Sequence, residues 1–378
     1  MYLKPNGFTG AAMAAQGISD VTLVLHGQAG CAKGIAASPC MVPGGRIRFA
    51  CTDIRPEDYY GSASGKLERT MANIRSKDSA LKVLMSSPGV SMIGENYGKV
   101  LGEDAMVIDT DELPPSCPEG FDDCICQIAS FLEPEKEKTI ENGVNIVGLS
   151  IMHKDWQSFD HEIRHFLKDA GFQVISALGA GCTADEIRRS AAAAYNIVVD
   201  PAYCSRTADM YERKFGVKPV STGRCPVGYD AIEELFTRIE EVTGVRTEHG
   251  LSMLKKSKRR AYSCIRSSSK SLAGYTFGID APGTSRLPLK EFLENSFGMT
   301  QCEDCPDYLF APGDSAVLRQ ASGMCGKGID IGFPSSGTDF IRKPLMGLDG
   351  VMYILDGLFN RFSRTPRREA SSPGYGLS

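Results

Sequence analysis

The chain has 378 residues, 42% of them hydrophobic and 23% charged, with a formal net charge of −4. This is the balance of a globular protein with a real core and room for two or three domains, and it gives no support to a nucleic-acid partner. No stretch approaches the roughly 18 apolar residues that cross a bilayer, and the N-terminus lacks a signal-peptide layout, so a cytoplasmic protein with no membrane partner is expected.

Three α/β units follow in chain order. The first opens with a strand over Val21–Leu25 that runs into His26-Gly-Gln-Ala-Gly-Cys31, then a helix over Gly65–Ser76 and a strand over Leu81–Met85. The second opens with the continuous apolar run Val144–Ile151, the mark of a strand buried on both faces. A helix over Ser158–Ala170, a strand over Phe172–Ala177, a helix from Thr183, a strand over Asn196–Val199 and a helix over Cys204–Phe215 complete it. The basic stretch from Gly244 to Ser271, with Lys255–Arg260 at its centre, reads as a linker or a long exposed helix. The third unit is short: a strand over Tyr275–Ile279, a helix over Pro288–Ser296, a strand over Tyr308–Ala311 and a closing helix over Gly347–Phe359.

The expected fold is therefore α/β, three Rossmann-like units with parallel sheets and helices on both faces. The expected domains are 1–140, 141–245 and 272–364, with a linker at 246–271 and a disordered tail at 365–378.

In a reducing compartment the thirteen cysteines are read as ligands to iron or zinc, or as buried thiols, rather than as disulfides. Thiols this numerous fit an anaerobic host. Cys31 follows a strand and two glycines, which places it at the carboxyl edge of a parallel sheet, where α/β proteins bind ligands. Gly30 lets the backbone approach a bulky group, and nearby amides lower a thiol's pKa. The alternative is a glycine-rich turn with a buried cysteine. Cys302-Glu-Asp-Cys305, with Cys325 twenty residues on, has spacing suited to gripping a metal or to redox chemistry, though no fourth ligand completes a zinc site. Cys117, Cys124 and Cys126 read as packing residues. His161 and His165 are four apart on a helix but lie among Glu162, Arg164 and Lys168, a solvated face. Gly61–Leu67 is one residue short of a P-loop and has Leu67 where a magnesium-binding hydroxyl belongs, so no nucleotide is expected on this chain.

Taken together, the motifs resemble the nitrogenase component 1 family. Its HGP-x-GC cluster motif is similar to His26–Cys31, with Gln28 in place of Pro. Thr52-Asp53, Glu57-Asp58, Gly61 and Lys66-Leu67 match a second motif, and Met92-Ile93-Gly94-Glu95 a third. Gly148-Leu149-Ser150, Glu186-Ile187, Asn196–Val199, Glu212–Val217, Gly332-Phe333-Pro334 and Gly347 with Gly350 continue the series to about residue 360.

The resemblance implies an iron–sulfur cluster, of the 4Fe–4S type, at a subunit interface, with Cys31 as ligand and His26 and Gly30 beside it. The family's other two cysteines are missing here: the matching places, around Asn6–Gly10 and at Pro88, hold none. Cys40 and Cys51, or a partner subunit, are then the sources of further ligands. The implied partners are a homologous component 1 subunit, in a hetero- or homo-oligomer, and an ATP-hydrolysing iron-protein reductase. The implied activity is reduction of a small molecule or a tetrapyrrole, with a cofactor-assembly scaffold or a cluster-free binding protein as the alternative. Asp200 stands nearest the place of nitrogenase's cofactor cysteine, which implies that dinitrogen is not reduced. Cys204, with a pKa expected to fall near a helix start, and Arg206 are, with Asp200, the candidates for facing a substrate.

Overall fold

The computed structural model describes residues 4–360 apart from 61–62, 75–78, 93–96, 137, 268–270 and 338. Gly61, the Ile93–Glu95 part of the third motif and the expected tail lie outside the described residues.

Among the described residues three four-stranded sheets form, every strand pairing within them is parallel, and all three repeat one strand order. The first contains β1 (Val21–His26), β2 (Phe49–Cys51), β3 (Leu81–Ser86) and β4 (Ala105–Ile108), in the order β2-β1-β3-β4. The second contains β5 (Ile140–Val147), β6 (Gln173–Ala177), β7 (Ala193–Val198) and β8 (Lys218–Val220), in the order β6-β5-β7-β8. The third contains β9 (Thr276–Ile279), β10 (Thr300–Gln301), β11 (Tyr308–Ala311) and β12 (Lys327–Asp330), in the order β10-β9-β11-β12. In each sheet the chain leaves the opening strand toward one neighbour and later returns to its other side. The crevice opened at the carboxyl ends of those two central strands is the place where such sheets take ligands.

The helices are α1 (Gly7–Gln16), α2 (Ala29–Ala32), α3 (Ser64–Asn73), α4 (Pro88–Ser91), α5 (Cys117–Leu132), α6 (Trp156–Asp169), α7 (Ala184–Arg189), α8 (Ser205–Phe215), α9 (Tyr229–Thr243), α10 (Glu248–Ser267), α11 (Gly283–Phe297), α12 (Gly313–Ala321) and α13 (Gly347–Phe359). Sequence chemistry explains several of their ends. Thr183 and Glu186 form the capping box that starts α7. Asn6 and Thr9 do the same for α1, a small-residue helix packed on α5. Helix α8 is capped from α5: the Asp122 carboxylate accepts from the Arg206 and Thr207 amides at 2.6 and 2.9 Å.

The boundaries correct the sequence expectation at two strand and helix ends and decide between its two readings of the basic stretch. The second sheet's first strand ends at Val147, and Leu149 and Ile151 are buried in the turn beyond it. The 246–271 stretch is mostly the 20-residue helix α10, held down by Gly250, Leu254 and Ala261. Helix α11 begins at Gly283, not at Pro288, and carries the proline inside it. Pro288 has no N–H to give to the Thr284 carbonyl, and that carbonyl instead accepts from the Cys225 amide at 2.9 Å.

One buried core cluster runs through the second sheet and into both others. A fully buried leucine such as Leu23 or Leu25 in β1 contributes roughly 1.5–3 kcal/mol. The face of α6 that looked solvated is half wrong. His161 and His165 are exposed, but Glu162 turns inward and accepts from the Leu348 and Asp349 amides at 2.7 and 3.1 Å, capping α13.

Burial pushes the Glu162 carboxyl up to about 7, against those two amide bonds. A folded pKa above the unfolded 4.5 gives stability that is present below 4.5 and lost as pH rises through 7. The stability advantage of the native chain over Glu162→Gln is expected to shrink by about 2–3 kcal/mol between pH 4.5 and 7.5, read from urea midpoints. An advantage that grows with pH would show that the carboxylate is better accommodated than its burial implies.

Candidate functional site

Two loci emerge at the carboxyl edges. The first lies on the first sheet. After β1 and β2 end, their chains keep running side by side: Thr52 N–H donates to Leu25 O at 3.0 Å and Ile54 N–H to Gly27 O at 2.8 Å. Leu25 pairs with Cys51 in register, so Cys51 is drawn beside the turn that carries Cys31. Both thiols are half-buried.

Cys51 Sγ faces the Gly27 carbonyl at 3.5 Å and receives the Asp53 amide at 3.4 Å. Burial pushes its thiol up; the Asp53 amide lowers it, and negative charge on Asp53 and on Cys31 raises it again. A thiol so placed ionises when a cation arrives to hold the charge.

The motif residues build the frame of this edge. His26 is fully buried, with Nδ1 3.1 Å from Thr52 Oγ1 and its ring edge-on to Tyr97 at 5.7 Å. Tyr97 in turn meets Ser86 Oγ at 2.8 Å. Gly27, just after β1, lies against Ser87, just after β3, and a Cβ there would lie 2.6 Å from Ser87 Oγ. Lys66 Nζ binds the Asp58 carboxylate at 2.6 Å and the Asp53 carbonyl at 2.9 Å, which ties the Thr52–Asp58 segment to α3. Lys66 is thus an anchor, not a phosphate ligand. Gly30 faces open space.

The second locus is a crevice between the second and third sheets. His153 and Lys154 follow β5, Asp200 follows β7, Asp280 follows β9 and Asp330 ends β12. Phe333 N–H donates to Met152 O at 3.1 Å, joining the two walls, and the Phe333–Pro334 bond is cis. His153 Nδ1 accepts from the Ser150 amide at 3.0 Å, so Nε2 carries the proton and donates to Asp200 Oδ2 at 3.1 Å. Lys154 Nζ is clasped by Asp330 at 2.7 Å and Asp339 at 2.5 Å. Burial alone would lower this ammonium, but the two carboxylates outweigh it and hold its pKa above the ordinary value.

The two cavities here measure about 100 and 70 Å³ and share His153, Lys154 and Phe333. A few waters or a very small molecule fit; drug-sized ligands need roughly 300 Å³ or more.

The remaining candidates are distributed unevenly. Cys40 is exposed beside Ser38 Oγ at 2.8 Å and lines the larger crevice cavity. Asp200 is buried and fully engaged by His153 and the Ala202 amide. Cys204 is buried with its Sγ toward the Asp200 carbonyl at 3.4 Å. Its expected low pKa is reversed, since burial pushes the thiol well up and the charges of Asp122 and Asp200 add to this. Arg206 pairs with Asp123 of α5 and lines neither cavity. Cys117 and Cys124 are buried in α5, and burial raises the Cys117 thiol to about 12. Of the third-unit thiols, Cys325 is buried, Cys305 exposed and Cys302 between the two.

Among the described residues no three His, Cys, Asp or Glu side chains are gathered as a metal-ligand set, neither around Cys31 nor around Cys302, Cys305 and Cys325. Four thiolates usually hold a 4Fe–4S cluster, and Cys31 and Cys51 are only two. His153, Lys154, Asp330 and Asp339 belong to no sequence motif, and they meet only in the folded chain. Their one local signal is the polar His153-Lys154-Asp155 following an apolar strand.

Among the described residues no helix is long and apolar enough to cross a membrane. The chain is similar to a subunit of the light-independent protochlorophyllide reductase of Jannaschia sp. (strain CCS1), 28% identical over 139 residues, which are 36% of this chain and 26% of that protein. The corresponding protein of Synechococcus sp. (strain RCC307) is 26% identical over 121 residues, 31% of this chain and 23% of that protein. The matched stretch thus spans about a quarter of these curated relatives. The fold is that of the solved nitrogenase Cp1 at pH 5, with a TM-score of 0.74 at 14% identity, covering 94% of this chain and 88% of that one. Nitrogenase Cp1 at pH 6.5 gives 0.73 at 14% identity, with 94% and 89% covered. A family model described as nitrogenase component 1 type oxidoreductase matches residues 7–301, and the chain belongs to that family.

Proposed function

We propose that this chain is one subunit of a nitrogenase-like oxidoreductase that holds a 4Fe–4S cluster jointly with a homologous component 1 subunit. It works in an anaerobic cytoplasm and receives electrons from a separate ATP-hydrolysing iron-protein reductase. The observation that carries this reading is the pairing of Cys31 and Cys51 at the open carboxyl edge of the first sheet, beside an exposed surface that includes Gln28–Gly30, Pro88 and Met92. A cluster bound there supplies one-electron transfer. Cys31 and Cys51 are the residues that would hold it from this side, and His26, Thr52 and Tyr97 keep their turn in place.

The crevice is the proposed substrate site. There the fixed His153 tautomer keeps a proton on Nε2 against Asp200, and Lys154 presents a cation. Its size favours a small reducible molecule; a tetrapyrrole would need the interface between subunits. Dinitrogen is not the proposed substrate, because the engaged Asp200 stands where the resemblance to nitrogenase would place a cofactor cysteine.

The test is anaerobic co-purification with the homologous subunit, iron–sulfur reconstitution, and iron content with EPR after reduction. The complex is expected to be brown, with a rhombic signal and iron that Cys31→Ala largely removes and Cys40→Ala leaves. A colourless, iron-free complex, or a Cys31→Ala complex with undiminished iron, would sink the assignment. Turnover with reductase, ATP and dithionite separates the enzyme from an assembly scaffold.

A further inference from the structure

The C-x-x-C sequence invites a pairing of Cys302 with Cys305, but the register of the third sheet brings a different cysteine to Cys305. Cys302 prolongs β10, its amide donating to Phe277 O at 2.8 Å, and the chain then turns into β11. Tyr308 pairs with Lys327, and Gly326 N–H donates to Pro306 O at 2.9 Å. Counting back from that register puts Cys325 beside Pro306, the residue next to Cys305. Cys305 Sγ accordingly reaches the Gly323 carbonyl at 3.8 Å.

We infer that Cys305 is a thiol–disulfide exchange site for low-molecular-weight disulfides, with Cys325 as its resolving partner. Cys305 is exposed and open to attack on a small disulfide, whereas Cys325 is 5% exposed and shielded from it. Arg319 Nε is buried without a hydrogen-bond partner among the described residues, and its charge acts on Cys325. Burial raises the Cys325 thiol, while Arg319 draws it down and a negative Cys305 raises it again. The guanidinium thus offers a counter-charge when Cys325 ionises.

The chemistry closes without a further reactant. Cys305 thiolate attacks one sulfur of R–S–S–R; that bond breaks, R–S⁻ leaves and takes up the proton that Cys305 released. Cys325, deprotonated, then attacks the Cys305 sulfur of the mixed disulfide and expels the second R–S⁻, which takes the Cys325 proton. Two protein thiols are oxidised to one disulfide and one small disulfide is reduced to two thiols. The linkage joins the segment feeding β11 to the head of β12. These are the leading ends of the strands, opposite the crevice edge, so the site is independent of the proposed cluster and substrate sites.

The experiment treats the reduced, native full chain with glutathione disulfide and maps its thiols by peptide mass spectrometry. The expected product is a Cys305–Cys325 cross-linked peptide with the loss of two hydrogens, unchanged in Cys302→Ser. In Cys325→Ser, glutathione should stay on Cys305. The exposed Cys40 and Cys264 act as internal controls that take up glutathione without resolving it. A Cys302–Cys305 link, glutathione persisting on Cys305 of the native chain, or an unmodified Cys305 while Cys40 and Cys264 react would each overturn the inference. The mapping of the native chain stands even where a variant folds poorly.

Discussion

Replacing Lys154 with Ala is expected to destabilise the crevice by about 3 kcal/mol, the order of loss seen when one partner of a buried ion pair is removed. The Lys154 side chain is only 6% exposed, and its two carboxylates, on Asp330 and Asp339, are 21% and 23% exposed. Without the ammonium, two negative groups would face each other across a partly dry gap. Asp339 keeps a longer contact to Lys343 at 3.6 Å, and Asp330 keeps Ser335 and the Gly332 amide, so the loss stays below that of a fully orphaned pair.

The readout is local, because the chain's one tryptophan, Trp156, lines the same cavity and donates to Met41 O at 2.7 Å. Its fluorescence should report a lower urea midpoint for Lys154→Ala. Adding Asp330→Asn and Asp339→Asn to Lys154→Met should recover most of the loss, since the clasp's own charges go together and only Lys343 gives up its longer contact to Asp339. If the single variant unfolds at the native midpoint, the clasp contributes nothing, and Lys154 is then held for chemistry rather than for stability.

The difference between what could and could not be read in advance follows from how far each signal reaches along the chain. Strands buried on both faces announce themselves by largely apolar runs, broken here by Thr22, Lys82 and Asn145, so β1, β3 and β5 were legible, but the run through Leu149 and Ile151 carried β5 too far. Burial continued after the hydrogen-bonded ladder stopped, and apolar residues alone do not mark that point. Helix α1 was invisible for the opposite reason. Buried almost all round, Gly7–Gln16 has no polar face to set a period.

The site divides the same way. The place of Cys31 just past the end of β1 was legible because strand, glycines and cysteine are contiguous. The arrival of Cys51 at the same sheet edge depends on the parallel register of β1 and β2, which sets it opposite Leu25, and no local pattern announces it. The Lys154 clasp joins residues 176 and 185 positions apart and leaves no local pattern to find.

Gly148→Ala is expected to have a second large effect, about 3–5 kcal/mol, for a reason that burial alone does not give. Gly148 follows β5 directly at φ +81°, and a Cβ there would lie 2.2 Å from the Asp200 carbonyl oxygen and 2.9 Å from its carbonyl carbon and amide nitrogen. None of those atoms is a flexible side-chain end, so the β7 terminus itself would have to move. That terminus is fixed by Val199 N–H donating to Val147 O at 3.0 Å and, through Asp200, by His153. A shift large enough to admit a methyl group therefore costs the ladder bond, the left-handed backbone strain and the His153–Asp200 contact together.

Gly171→Ala supplies the matched control: it has φ +90° with nothing within 4 Å of the added carbon, so it should cost only the backbone strain, about 1 kcal/mol. Urea midpoints and Trp156 fluorescence of the two variants separate conformational cost from collision. Equal losses would mean that the close approach of β5 to Asp200 is readily relaxed. A much larger loss at Gly148, with a changed Trp156 signal, would tie the second sheet's central crossing to the geometry of the crevice.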